Sequence, residues 1–202
     1  MNQSTSYLTI SSEGSAEFKD RGSKFIALAY PIKNKNDFKI ALQKAKDVHP
    51  KASHYCFAYK IGLENNNFRS SDAGEPNGSA GKPILNAIES KNITDVLIVV
   101  IRYFGGSLLG VPGLINAYKT TASLALQTTQ IVQKPVLLFY ELHYDYTQTN
   151  IVMQIVKKLD GEVLKNETQL FCSIQIAIPK ARQNEFDYNF SDLHQVIIKK
   201  IE

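Results

Sequence analysis

The chain has 202 residues, 44% hydrophobic and 21% charged, which is ordinary for globular proteins, unlike disordered ones, and enough to build one large core or two small ones. Its net charge of +4 is mild, and its longest apolar run, Val96 to Ile101, is strand-sized, so no membrane partner is expected. Two distant cysteines, Cys56 and Cys172, and an N-terminus without the basic and apolar parts of a secretion signal point to a reduced, cytoplasmic protein.

In chain order, strands are predicted over Tyr7 to Ser12, Ala16 to Lys19 and Lys24 to Ile32. Asn34 or Asn36 can then cap a helix whose Phe38, Ala41, Leu42, Ala45 and Val48 form one apolar face, ended by Pro50. Ser53 to Ile61 reads as a strand, and Glu64 to Asn67 as a turn before a further short strand. A glycine-rich loop from Ser71 to Pro83 feeds a helix starting near Pro83. Asp95 to Ile101 is the strongest strand signal, and a second loop from Arg102 to Gly113 feeds a helix from Leu114 to Thr128.

The pattern restarts near Gln133-Lys134-Pro135. Strand Val136 to Tyr144, helix Thr147 to Leu159, strands Glu162 to Lys165 and Leu170 to Ile178, a poorer helix Lys180 to Phe190 and strand Val196 to Ile201 follow. This β-α-β-β-α-β order is ferredoxin-like, a two-layer sandwich. The expected organisation is two α+β domains, residues 1–135 and 136–202. Their charges differ in sign: residues 1–135 carry 16 Lys+Arg against 10 Asp+Glu, and residues 136–202 carry 7 against 9. Lys33, Lys35, Lys39, Lys44, Lys46 and Lys51 supply much of the first excess. Lys39, Lys44 and Lys46 are the candidate nucleic-acid contacts, with a solvated helix face as the alternative reading.

The two glycine loops are the candidate site. A strand, a flexible turn and a helix N-terminus in series direct backbone N–H groups at one spot, which suits an anion; tight turns between packed elements need the same glycines. Asp72, Gly74, Glu75, Gly81, Lys82, Arg102, Tyr103, Gly105 and Gly106 are therefore the candidate ligand-binding residues. Neither loop is a phosphate-binding P-loop: in the first, Pro76 stands where the first glycine belongs and Pro83 where Ser or Thr belongs, and in the second, Gly105 and Gly110 are spaced correctly but Val111 and Pro112 follow. Asp72 and Glu75 could move protons or hold a cation, or else cap a turn and pair with Arg102. His54 and Cys56 point to one side of their strand, where Cys56 reads as a core residue. No catalytic set, metal site or cofactor is assigned.

The Gly74-Glu75-Pro76 and Arg102-Tyr103-Phe104-Gly105-Gly106 motifs, with the segment His54 to Tyr59, resemble the signature of the Impact family, in its bacterial two-domain YigZ-like branch (uncharacterised protein family 0029). The resemblance covers essentially the whole chain. It implies an N-terminal domain like the second domain of a small-subunit ribosomal protein and a C-terminal domain like a ferredoxin-like domain of elongation factor G. Three positions depart from the family pattern. Ala73 replaces a second acidic residue, which weakens a metal site; Leu108 and Asn116 replace basic residues, which weakens phosphate binding. Eukaryotic members act in the amino-acid-starvation kinase pathway through a co-activator. Their co-activator module is a separate domain that the residues ahead of Tyr7 are not expected to form. The leading expectation is thus a non-catalytic regulatory or binding protein linked to translation, contacting RNA, the ribosome or translation proteins. The alternative is an enzyme or sensor for a small phosphorylated metabolite at the loops.

Overall fold

Strand β6 (Val96–Tyr103) is apolar on both sides because both of its sides are covered. It is central in a five-stranded antiparallel sheet ordered β2-β3-β6-β4-β5, with β2 Gly14–Asp20, β3 Ser23–Pro31, β4 His54–Lys60 and β5 Phe68–Ser71. This computed structural model describes residues 4–64, 66–168 and 171–201. Asn65 of the expected turn and Leu170 of an expected strand start lie outside the described residues.

Period-two alternation sorts the sheet's side chains. Phe25, Ala27, Ala29, Cys56, Ala58, Val96, Ile98 and Val100 face one core with helices α2 (Gly81–Ser90) and α3 (Gly110–Gln127). Tyr30, Phe57, Tyr59, Leu97, Val99 and Ile101 face the other, with helix α1 (Lys35–Val48). Asn34 caps α1, its side-chain oxygen accepting from the Asn36 and Asp37 N–H groups. Val48 departs from the expected apolar face: it is 63% exposed, because the buried stripe of α1 is completed by Phe38, Ala41 and Ala45.

Both helices after the glycine loops begin earlier than expected, at Gly81 and not near Pro83, and at Gly110 and not at Leu114. A helix's first N–H groups have no partner within the helix, so Pro83 and Pro112 fit inside the first turn. The expected joint near Gln133-Lys134-Pro135 falls in strand β7 (Ile131–Pro135), which pairs with β1 (Ser6–Ile10) as a two-stranded ribbon. The Ser11 N–H donates to the Gln130 carbonyl at one end, and the Val136 N–H to the Thr5 carbonyl at the other.

The chain divides into one unit of residues 8–133 and another made of the residues up to Tyr7 together with those from Lys134 onward. The second unit contains β8 (Leu137–Asp145), α4 (Thr149–Lys158), β9 (Glu162–Thr168), β10 (Phe171–Pro179), α5 (Gln183–Phe190) and β11 (Ile197–Ile201). Its antiparallel sheet is ordered β11-β8-β10-β9, and Val152, Ile155, Val156, Phe186 and Phe190 pack with Tyr140, Leu142, Ile174 and Ile176. The fold is α+β throughout. No helix among the described residues is long and apolar enough to cross a membrane.

Exposure of Val48 and complete burial of Ala45 in the same helix make opposite predictions. Val48→Ala is expected to change stability by less than about 0.5 kcal/mol. Ala45→Leu should cost about 1–3 kcal/mol through overpacking. Urea denaturation of the two variants checks both.

Candidate functional site

Sheet register builds the centre of the site. Arg102 stands opposite Phe25 of β3 on one side and opposite His54 of β4 on the other, and all three lie on the α2–α3 side of the sheet. The Arg102 guanidinium lies over the Phe25 and Phe104 rings, 5.5 and 5.4 Å from their centroids. The first glycine loop lowers Glu75 onto this row. Arg102 Nη1 donates to Glu75 Oε1 at 2.7 Å, and the Tyr118 hydroxyl of α3 donates to the same oxygen at 2.7 Å. The side chains of Glu75 and Arg102 are only 4% and 5% exposed, so this is a buried ion pair.

The second loop is tied to the same pair through Ser23, whose hydroxyl accepts from Arg102 Nη2 at 3.3 Å and from the Gly105 N–H at 3.2 Å. Arg102 Nε is buried with no partner among the described residues. His54 supports the first loop. A carbonyl only accepts, so His54 Nδ1 carries the proton it donates to the Ala73 carbonyl at 2.9 Å, and Nε2 lies 3.9 Å from Glu75 Oε1.

Asp72 closes the first loop on the next helix. Its carboxylate accepts from the Gly78, Ala80 and Gly81 N–H groups at 2.8–2.9 Å, so a side chain of the chain itself occupies the N-terminus of α2. Partial burial raises the Asp72 pKa, and the three N–H donors outweigh it, leaving the carboxyl below its ordinary value. The Asp72 carbonyl accepts from the Cys56 thiol at 2.9 Å. Burial pushes that thiol up to about 12, so it stays protonated at neutral pH and is no nucleophile. Burial also raises the Tyr118 hydroxyl, which remains a donor.

The glycines serve two different constraints. A Cβ on Gly105 would lie 1.8 Å from the Gly22 carbonyl carbon, and one on Gly81 would lie 2.6 Å from the Ser71 nitrogen; both positions are backbone crossings. Gly74 and Gly106 instead have positive φ, +93° and +84°. Ala73 shares the left-handed region at φ +47° without being glycine.

The structure therefore brings together Asp72, Gly74, Glu75, Gly81, Arg102, Gly105 and Gly106. Lys82 is exposed on the first turn of α2. Tyr103 is not in this group. Strand alternation turns it to the α1 side, where its hydroxyl lies 3.0 Å from His49 Nδ1. The lysine group also divides. Helical periodicity places Lys39 and Lys46 with Lys35 along one side of α1 and Lys44 roughly opposite them. There Lys44 pairs with Glu13 at 3.1 Å and lies over the Tyr30 ring. Ser23 and the bonds made by Tyr118 and His54 were not assigned from the sequence. No short-range pattern marks them, because they come from β3, α3 and β4 and meet only after the sheet forms.

The Impact N-terminal domain family model matches residues 21–126, which include every residue of this network. The chain belongs to the Impact family. The Impact family member YigZ of Escherichia coli is 31% identical over 84% of each chain. The protein IMPACT of Xenopus laevis is 33% identical over 45% of this chain and 30% of its own length. The crystal structure of a hypothetical protein superimposes with a TM-score of 0.80 at 28% identity, covering 99% of both chains.

Two predictions follow from the buried network. Arg102→Met or Glu75→Leu alone is expected to cost about 3–5 kcal/mol in urea unfolding, because each leaves one charge buried without its partner. The double variant should lose far less than the sum of the two; additive losses would show the pair to be uncoupled.

Asp72→Ala should cost about 1–3 kcal/mol near pH 7. With its folded pKa depressed, Asp72 contributes stability above the unfolded carboxyl value of about 4. That contribution is lost as pH falls through the lower folded value, so the gap between wild type and variant should close in acid. Unfolding curves from pH 7 to pH 2 measure it.

Proposed function

We propose that this Impact-family chain is a non-catalytic binding protein linked to translation, which contacts RNA through the outer side of α1. The carrying observation is the row Lys35, Lys39 and Lys46. All three are exposed, and none has a carboxylate partner among the described residues. Asp37 and Asp47, the acids of that helix, are engaged by the Lys33 N–H and the Gln43 amide. A row of unneutralised ammonium groups along a rigid helix matches a phosphate backbone by charge and without base-specific readout.

The internal chemistry supports binding over turnover. Glu75, Arg102 and Asp72 are engaged with one another's elements, and the Cys56 thiol is protonated and buried. Family membership supports the link to translation, because the kinship with ribosomal and elongation-factor domains implied by the sequence motifs points the same way. The small-metabolite reading has less support, since the first loop's helix N-terminus already holds Asp72.

The test is binding of a fluorescently labelled single-stranded RNA across a salt series. Affinity should fall steeply with salt, and changing Lys35, Lys39 and Lys46 to Glu should lower the slope of log affinity against log salt by about 2, near 0.7 per lost contact. Lys44→Glu, on the other side of the helix, should change the slope little. Equal effects of Lys44 and the Lys39 row, or no RNA binding at all, would reject this reading.

A further inference from the structure

Beyond the lysine side of α1, the first unit exposes a second, chemically different surface. Leu108, at the mouth of α3, is 84% exposed, and Val111 and Ile115, one turn apart on α3, are exposed with it. Val111, Ile115 and Lys119 follow at helical i, i+4 spacing, so the apolar ridge ends in an ammonium group about 12 Å along the helix. The start of α3 is also electropositive: the helix has no side-chain cap and no acid in its first turn, and among the described residues no side chain accepts from its first N–H groups. From Asp95 to Glu141 the chain contains no intervening Asp or Glu, although this stretch holds the loop, all of α3 and the ribbon strand after it. Leu108, Val111 and Ile115 are thus an apolar ridge that runs from the uncapped start of α3 to Lys119, with no acid in the segment to neutralise either positive group.

We propose that the Leu108–Val111–Ile115 ridge docks an acidic amphipathic segment of a partner protein. Leucine-like side chains of the segment lie on the ridge, and carboxylates meet Lys119 and the start of α3. Charge complementarity selects this occupant. A basic segment would face the positive ends, and a purely apolar one would leave them unpaired. The buried Glu75–Arg102–Tyr118 network lies beneath the same loop and helix and holds them in place, so the surface is presented by a rigid support.

The experiment uses the full chain and a fluorescein-labelled helical peptide of about 16 residues, leucine on one face and glutamate elsewhere. Fluorescence anisotropy should show saturable binding that Leu108→Asp with Ile115→Asp weakens by about tenfold or more. Lys119→Glu should weaken it several-fold, and a peptide with lysine in place of glutamate should bind less well than the acidic one. All three positions are exposed, and an unchanged urea midpoint shows that the variants fold. If the double variant unfolds, Leu108→Ser alone carries the test. Absent or mutation-insensitive binding, or preference for the lysine peptide, overturns the proposal. So does self-association in sedimentation that Leu108→Asp abolishes, which assigns the ridge to a second copy. Equal displacement of the peptide by single-stranded RNA would assign it to nucleic acid instead.

Discussion

Glu75 and Arg102 form an ion pair almost entirely withdrawn from water, and both glycine loops take their positions from it. Removing two charges from water is costly, and mutual attraction compensates only when the remaining hydrogen-bonding capacity is also used. Here Tyr118 supplies a second donor to Glu75, Ser23 takes another guanidinium N–H and two aromatic rings face the guanidinium, while Arg102 Nε alone of its nitrogens stays buried without a partner among the described residues. Four separate stretches of chain contribute: β3, the loop after β5, the end of β6 with the loop that follows it, and α3. The pair thus fixes relations between elements that backbone pairing alone leaves open.

Around that pair, glycine is needed for two distinct reasons. At Gly105 and Gly81 another stretch of backbone passes so close that any side chain would collide with it. At Gly74 and Gly106 the local turn requires a left-handed backbone, and space is not the limit. Neither requirement involves a ligand. Asp72 reinforces the point, because the helix N-terminus that could receive an external anion receives the chain's own carboxylate. The glycine-rich motifs characteristic of the Impact family are, in this chain, first of all the means of bringing two loops together over one buried charge pair.

The same sheet separates two surfaces. Its α1 side carries Lys35, Lys39 and Lys46 outward on a helix whose inner stripe is Phe38, Ala41 and Ala45. Its other side carries α3, where Leu114, Ala117, Tyr118 and Ala125 point inward and Val111, Ile115 and Lys119 outward. The first surface carries three lysines without an ion-pair partner among the described residues; the second is apolar beside Lys119 and the start of α3. Surfaces this different suit different kinds of partner, and the rigid sheet between them keeps both in place.

Hydrophobic periodicity and turn chemistry are enough to read the α+β class and nearly every strand and helix, while the family comes from the resemblance of Gly74-Glu75-Pro76 and Arg102 to Gly106 to its signature. The glycine loops also single out Asp72, Glu75, Lys82 and Arg102 as charged candidates, with turn capping by Asp72 and pairing of Glu75 with Arg102 as the alternative to a ligand. Their partners were decided by register and packing. Only the pairing of β6 with β3 and β4 sets Arg102 between Phe25 and His54, and only the seating of α3 brings Tyr118 to Glu75. Tyr103 is the opposite case, adjacent to Arg102 in sequence and turned to the other side by strand alternation. Lys44 is a similar one, grouped with Lys39 and Lys46 by sequence distance and parted from them by the helical turn and by Glu13. Local physics is set by near neighbours and is therefore written along the chain. Which distant groups share a buried charge is set by how sheets and helices pack, and only the folded chain decides it.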